Sequence, residues 1–161
     1  MLYIIRHADA VSGPVDAKRR LSTYGHSQVK ALGNYLKQTE IAAPEEVWLS
    51  TLVRAKETAV ELCNSLGWVV PIIERDDLKP EDDPFTIARM IGKETKLIAI
   101  VGHNPFLEFL ATVLIRGVPT PEAIVMDKAS FLILEKKECA KLNRWSVVSQ
   151  VTADNFIKEQ I

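Results

Sequence analysis

The sequence predicts an α/β three-layer sandwich, in which helices cover both faces of a mostly parallel central sheet. Short apolar runs typical of buried strands alternate with longer segments whose apolar residues recur at helical spacing. The last two strand candidates are separated by a short charged stretch, which predicts an antiparallel edge to the sheet. The sequence has no repeat, low-complexity stretch or linker, so residues 1–161 are expected to form a single domain.

Six runs are strand candidates, and Lys96–Val101 (KLIAIV) is the clearest because its apolar residues are uninterrupted. Pro71–Ile73 is the weakest, because it is short and begins with proline. The other four candidates are Leu2–Ile5, Glu46–Leu49, Phe131–Leu134 and Trp145–Val151, and Glu135–Lys141 is the charged stretch between the last two. This number of strands is ordinary for the sheet of one α/β domain.

Four helices are expected between these strands, and their boundaries are predicted from capping side chains, first-turn prolines and terminal glycines. The expected signals are Ser22 for the first helix, Ser50 or Thr51 at the start of the second and Gly67 at its end, Pro84 for the third, and Asn104 with Pro105 for the fourth. The alternation of strands and helices places helix N-termini at the carboxyl ends of the strands, where ligands bind in open α/β sheets.

The composition narrows the possible functions. Hydrophobic residues make up 47% of the chain and charged residues 25%, which is typical of a globular domain. The 20 basic and 21 acidic residues give a net charge of −1, so no basic field favours nucleic acid or an anionic membrane as a partner. Leu2–Ile5 is too short for a signal peptide and lacks a basic leader. No apolar run approaches the roughly 20 residues that span a bilayer, and we expect a cytoplasmic protein.

The two cysteines, Cys63 and Cys139, have no metal-ligand spacing. Cys63 falls within a helical apolar pattern and is expected in the core. Reduced cysteines are favoured, although a disulfide between the two remains an alternative. His7 and Asp9 resemble the start of a metal motif, but the further carboxylates of a metal cage are missing, so we expect no metal site and no cofactor.

Polar residues follow three of the predicted strands, and these residues are expected to meet at one edge of the sheet. Arg6 and His7 follow the first strand directly. Arg54 lies in the first turn of the helix after the second strand, and His103 follows the strand Lys96–Val101. Two arginines and two histidines are thereby predicted to share one site.

This set of side chains is suited to phosphoryl chemistry. Two guanidinium groups near helix N-termini form an anion site whose planar forks match a phosphate or sulfate group. A neutral imidazole could attack phosphorus, and a second could donate hydrogen bonds to the phosphoryl oxygens. An ordinary imidazole pKa would cause the rate to fall below about pH 6. The arginines supply the positive charge, so the reaction requires no metal.

Four blocks of sequence resemble the histidine phosphatase superfamily, also called the phosphoglycerate mutase-like family. They are RHA after the first strand, RRLSTYGHSQ, STLVRAKET after the second strand, and VGHNP, and they occur in the family's order. The small size and the RHA start look most similar to the SixA branch, the phosphohistidine phosphatases. Ala8 replaces the usual glycine and Thr51 the usual proline, and both departures are mild.

The resemblance implies a role for each matching residue. His7 would accept the phosphoryl group, Arg6 and Arg54 would clamp it, and His103 would complete the pocket. Arg19 matches the family arginine, but Arg20 replaces the proline that follows it, so either of the two could face the site.

The family's acidic residue would fall within LKPEDDP. Asp83 matches its position best, and Glu81 and Asp82 are close alternatives. A phosphoramidate needs a general acid less than an alkyl phosphate ester does, because its imidazole leaves as a neutral group once protonated. Absence of all three carboxylates from the pocket would therefore favour a phosphohistidine substrate.

The resemblance implies a metal-independent phosphatase that dephosphorylates phosphohistidine on a signalling or carrier protein. The sequence has no long insertion that could form a lid, which favours a substrate side chain displayed on a protein surface. A small phosphoester metabolite is the alternative substrate. A phosphate-binding module without turnover and a mutase are further alternatives, and a mutase would usually need a longer chain.

Overall fold

The computed structural model describes residues 1–137 and 144–157, and it confirms the predicted three-layer sandwich. A single six-stranded sheet has the strand order β3-β2-β4-β1-β5-β6. The strands are β1 (Leu2–Arg6), β2 (Glu46–Ser50), β3 (Ile72–Arg75), β4 (Ile98–Gly102), β5 (Ser130–Lys137) and β6 (Arg144–Thr152). All six predicted strands are present, each within a few residues of its expected bounds.

The direction of the strands follows from the connections between them. The first four strands are parallel: β1 pairs with β4, and β2 pairs with both β3 and β4. They are parallel because a helix returns the chain to the same end of the sheet after each of the first three strands. β5 runs antiparallel to β1 and β6 runs antiparallel to β5, which confirms the predicted antiparallel edge. β1 is therefore central, and Ile5 pairs with Val101 on one side and with Phe131 on the other.

Five α-helices and a short 3-10 helix at Asp16–Lys18 complete the fold within the described residues. The helices are α1 (Thr23–Gln38), α2 (Val53–Leu66), α3 (Pro84–Lys93), α4 (Phe106–Arg116) and α5 (Asp154–Ile157). The four long helices were predicted. The 3-10 helix and α5 were not, because segments of three and four residues are too short to show helical periodicity.

Alternate residues of the strands face opposite layers, so the sheet separates two apolar cores. Tyr3 and Ile5 of β1 face the core formed with α1 and α2, where Leu32 and Leu62 are fully buried. The neighbouring residues Leu2 and Ile4 face a second core formed with α3 and α4. These two cores fix the strand register, because a shift by one residue would exchange the two faces.

Most of the predicted helix boundaries are confirmed, and one is wrong. Ser22 accepts a hydrogen bond from the Gly25 amide at 3.0 Å, and Gly67 ends α2 with φ of 69°. Neither Ser50 nor Thr51 caps α2, whose N-cap is Leu52 without a side-chain bond. Ser50 is instead the buried last residue of β2, so it precedes the capping position.

Cys63 is a buried free thiol in the apolar core of α1 and α2, as expected. Cys139 lies outside the described residues, and so do the last residues of the predicted link Glu135–Lys141. Glu135 and its two successors extend β5 rather than forming part of a loop. No helix in the described part of the chain is both long enough and apolar enough to cross a bilayer.

Candidate active site

Two parallel strands deliver the two histidines to the same edge of the sheet. Arg6 at the end of β1 pairs with Gly102 at the end of β4, and the His7 amide donates to the Gly102 carbonyl at 3.0 Å. His7 and His103 therefore leave neighbouring strands at the same level. Their ring centroids are 4.9 Å apart, with the ring planes tilted by 52°. Strand pairing thus brings the histidines together as the sequence predicts.

His7 is held in one tautomer by the backbone. Its Nδ1 lies 2.7 Å from the Ala8 carbonyl oxygen, which can only accept, so Nδ1 carries the proton. The lone pair of the neutral ring is then on Nε2. Arg54 donates from Nε to this Nε2 at 3.3 Å. His7 is 7% exposed, so a reactive nitrogen is positioned in an almost buried site.

Arg54 reaches His7 from the first turn of α2. Its backbone is fixed by Thr58, whose hydroxyl donates to the Arg54 carbonyl at 2.7 Å and accepts from the Ala8 amide at 3.1 Å. Its guanidinium also donates to the 3-10 helix, from NH1 to the Asp16 carbonyl at 2.9 Å and from NH2 to Asp16 Oδ2 at 3.1 Å. Three polar partners therefore define the plane of this buried fork.

His103 lies between β4 and α4 and is 1% exposed. Neither of its ring nitrogens has a hydrogen-bond partner among the described residues. A buried polar group without a partner is costly, and such groups in folded proteins are concentrated at functional sites. A phosphoryl oxygen in the site would supply the missing acceptor.

Arg6 is half-buried beside the histidines. Its NH1 donates to the Met126 carbonyl at 2.7 Å, while its Nε is buried and has no partner within the described residues. Asn104 donates to the same carbonyl at 2.9 Å and to Glu108 Oε1 at 2.7 Å. Burial lowers the pKa of Arg6, while the charges of Glu108 and Asp127 favour its protonated form. The arginine remains a cation with an unused donor.

The loop after His7 is fixed by Asp9. Its carboxylate accepts from Ser22 Oγ and from Lys128 Nζ, each at 2.6 Å. A Cβ on Gly25 would lie 2.0 Å from the Asp9 carbonyl oxygen, so glycine is required where α1 meets this loop. Asp9 therefore anchors the loop that follows His7.

Both histidines are kept neutral by their surroundings. Burial lowers the pKa of His7 to about 4; the Ala8 carbonyl opposes this effect, and the charges of Arg54, Arg6 and Lys128 add to it. Burial lowers the pKa of His103 to about 3, and His7, Arg54 and Arg6 add to the shift. The loss of the His7 nucleophile is therefore expected near pH 4 rather than pH 6.

The two candidate arginines of the loop have different positions. Arg19 donates from NH1 to Asp16 Oδ1 at 3.0 Å, and Asp16 in turn contacts Arg54. Arg20 pairs with Glu57 at 2.6 Å, and its side chain is 74% exposed. The described contacts thus connect Arg19 to the site through Asp16 and direct Arg20 to the surface of α2.

The predicted acidic residues lie in other contacts. Asp83 is the N-cap of α3, where it accepts from the Phe85 amide and from Thr86 Oγ1, each at 3.0 Å. Asp82 accepts from the Lys79 amide at 2.6 Å, and Glu81 is exposed. The contacts of the described residues do not connect any of these three carboxylates to the two histidines and two arginines.

Asp16 is the residue that the sequence did not reveal. It lies in a polar loop with other charged residues, and its contact with Arg54 depends on how that loop folds. The only signal in the sequence was its position between the RHA and RRLS blocks.

Comparisons with known proteins bear on the family and the fold of this chain. Residues 2–80 match the sequence profile of the histidine phosphatase superfamily, branch 1. No curated protein matches the chain significantly in sequence. The structure of the protein histidine phosphatase SixA complexed with tungstate is similar, with a TM-score of 0.84 and 20% identity over 96% of this chain and 97% of that one.

Two further solved structures share the fold. A SixA structure from Agrobacterium tumefaciens has a TM-score of 0.76 and 18% identity, covering 94% of this chain and 96% of that chain. A mycobacterial glucosyl-3-phosphoglycerate phosphatase in complex with VO3 has a TM-score of 0.68 and 18% identity, covering 92% and 97%. Residues 2–80 therefore carry the sequence signature of the histidine phosphatase superfamily, branch 1, and nearly the whole chain shares the fold of these solved structures.

Proposed function

We propose that this protein is a metal-independent phosphatase that transfers a phosphoryl group to His7 and then to water. The observation that carries the proposal is the state of His7, a neutral ring whose Nδ1 is held by Ala8 and whose Nε2 lone pair lies against Arg54. The match of residues 2–80 to the histidine phosphatase superfamily supports this activity.

The reaction has two displacements at phosphorus. In the first, the hydrogen bond from Arg54 Nε to His7 Nε2 breaks. The freed lone pair forms a P–N bond as the bond from phosphorus to the leaving atom of the substrate breaks, and that atom takes up a proton from solvent. Arg6, Arg54 and His103 donate to the phosphoryl oxygens, where charge is redistributed in the transition state. In the second, water attacks phosphorus, the bond to Nε2 breaks, and the proton of the water passes to solvent as phosphate leaves.

The proposed substrate is phosphohistidine on a protein. The likeness to SixA structures supports it, and so does the absence of described contacts between the site and Glu81, Asp82 or Asp83. An imidazole leaving group takes up one proton and departs neutral, so it depends little on a strong general acid.

An open groove beside the site also favours a protein substrate. It has a volume of about 680 Å³ and is lined mostly by the loop between β1 and α1, including Val11, Val15 and Leu21 with Lys18 and Arg19. Arg19 joins this groove to the site, because it contacts Asp16 and Asp16 contacts Arg54. Apolar side chains with a basic rim suit a substrate surface that carries apolar and acidic residues next to its phosphohistidine.

A small phosphoester is the second candidate substrate. The mycobacterial glucosyl-3-phosphoglycerate phosphatase shares the fold over most of both chains, which favours this alternative. The two candidates differ in the leaving group and in whether the groove is used.

The test is phosphate release from a histidine-phosphorylated carrier protein in the presence of EDTA, with glucosyl-3-phosphoglycerate as the small-ester comparison. We expect release from the carrier protein by the wild type and none by His7→Ala. Hydrolysis of the small ester alone would show that the substrate is a small phosphoester and not a phosphorylated protein. Binding of either phosphorylated compound without release would establish a phosphate-binding module and contradict the proposal.

A further inference from the structure

Asp16 accepts two hydrogen bonds from the guanidinium of Arg54. The Asp16 main-chain oxygen accepts from Arg54 NH1 at 2.9 Å, and Asp16 Oδ2 accepts from Arg54 NH2 at 3.1 Å. The third donating edge, Nε, is directed at His7 Nε2 at 3.3 Å. Asp16 and His7 therefore bind different donors of the same planar group.

Asp16 is itself held by the loop that contains it. Its Oδ1 accepts from Arg19 NH1 at 3.0 Å, and Arg19 Nε donates to the Val11 carbonyl at 2.8 Å. The 3-10 helix at Asp16–Lys18 fixes the main chain around it. The contacts form one chain from Val11 through Arg19, Asp16 and Arg54 to His7.

We propose that Asp16 is a positioning residue, which orients Arg54 so that its guanidinium meets both His7 and the phosphoryl group. The proposal rests on the proposed function, because it assigns Asp16 a part in the same reaction. A guanidinium has five N–H groups, and three of those on Arg54 are engaged. One N–H on NH1 and one on NH2 remain for phosphoryl oxygens.

The exposure of Asp16 argues against a large contribution of the ion pair to stability. The Asp16 side chain is 62% exposed while that of Arg54 is 6% exposed, and solvent-facing ion pairs contribute little to the free energy of unfolding. The Asp16 carboxylate would also repel an incoming phosphate. Its removal is therefore expected to slow the chemical step without weakening substrate binding.

Asp16→Ala tests the proposal through a split between kcat and KM. We expect kcat to fall about tenfold, because small displacements of a positioned group cost that much or more. KM is expected to stay unchanged or to fall, since a negative charge has been removed. Asp16→Glu should recover part of kcat. Asp76→Ala, an exposed aspartate in a turn, is the control for removal of a surface carboxylate and should match the wild type.

An unchanged or higher kcat in Asp16→Ala would overturn the proposal, because Asp16 would then be a bystander or a competitor for Arg54. A fall in kcat accompanied by a rise in KM would also overturn it, because it would indicate general loosening of the loop.

NMR of the Arg54 side chain separates this proposal from the proposed function. We expect a slowly exchanging Nε–H resonance of Arg54 in the wild type and in Asp76→Ala, and its loss or faster exchange in Asp16→Ala. That result would support the positioning role even if no phosphorylated substrate were turned over. An Arg54 resonance unaffected by Asp16→Ala would contradict it whatever the activity.

Discussion

The two histidines of the site lie on neighbouring strands but are held in opposite ways. His7 has a partner on each ring nitrogen, the Ala8 carbonyl on Nδ1 and the Arg54 guanidinium on Nε2. His103 has no partner on either nitrogen within the described chain and is held by packing alone. Under the proposed function, His7 is prepared before substrate arrives, whereas His103 acquires its hydrogen bonds from the phosphoryl group.

The division of roles also explains the surroundings of each histidine. His7 opens a long polar loop that is fixed by Asp9 and that returns to Arg54 through Asp16. His103 lies in a short turn at the start of α4, next to the fully buried Phe106 and Leu107. Polar contacts set the tautomer of His7, and apolar packing sets the position of His103.

His7→Ala should have the largest effect. The nitrogen that forms the P–N bond is removed, so turnover is expected to fall at least about 1000-fold, as for other covalent nucleophiles. Tungstate binding should persist, because Arg6, Arg54 and His103 remain. Phosphate release and tungstate affinity are the measurements, and Asp76→Ala, an exposed aspartate in a turn, is the control. Near-normal release by His7→Ala would remove His7 from the mechanism.

His103→Ala should have the next largest effect. Loss of one donor to the transition state typically costs about 100-fold or more in kcat. His103 does not form a covalent bond to phosphorus, and His7 is still present in this variant. Phosphorylated enzyme should therefore still form, but slowly. Single-turnover kinetics would show this, and a phosphorylation rate equal to the wild type would contradict the role of His103.

Arg54→Lys tests the contact that distinguishes His7 from His103. Lysine keeps the charge but lacks the planar fork that meets His7 and Asp16 together, so kcat/KM is expected to fall about tenfold or more. Arg89→Lys, on the exposed face of α3, is the matched control and should retain full activity. Wild-type kcat/KM in Arg54→Lys would show that a point charge suffices.

The acid stability of the protein should reflect both histidines. Their pKa values in the folded protein, about 4 and about 3, lie below the ordinary 6.5, so the unfolded state binds more protons between these limits. The free energy of unfolding should therefore fall as the pH is lowered from about 6.5 towards 4, by up to about 1.4 kcal/mol per pH unit for each histidine. Urea unfolding between pH 6.5 and pH 4 measures this fall in the free energy of unfolding. NMR titration of the two imidazole rings checks their pKa values directly. A ring that titrates near 6.5 would contradict the stated cause.

Strand patterns and the order of the motifs predicted most of the fold and the four central residues. The Arg6–His7 pair follows a buried strand, and parallel pairing of β1 with β4 necessarily places His103 beside it. Local capping was less predictable at α2, because the register of β2 placed Ser50 within the strand. Whether a serine ends a strand or caps a helix depends on tertiary packing.

The polar residues of loops were the least predictable part of the site. Asp16 contacts Arg54, and Arg19 contacts Asp16, only because the loop folds back over α2, and no sequence periodicity indicates that path. Asp83 matched a motif by position, but its carboxylate caps α3. The positions of residues on strands and helices could thus be predicted from their spacing in the sequence. The contacts of residues on loops could be identified only from the structure.

The most direct test of the account is to trap the phosphorylated enzyme. Wild-type protein would be mixed with a 32P-labelled, histidine-phosphorylated carrier protein in EDTA, quenched in alkali and digested, and the labelled peptide identified by mass spectrometry. The account predicts a rapid burst of label on His7, which is absent from His7→Ala and forms more slowly in His103→Ala. Phosphate release without any labelled enzyme, or label on another residue, would contradict the central role of His7.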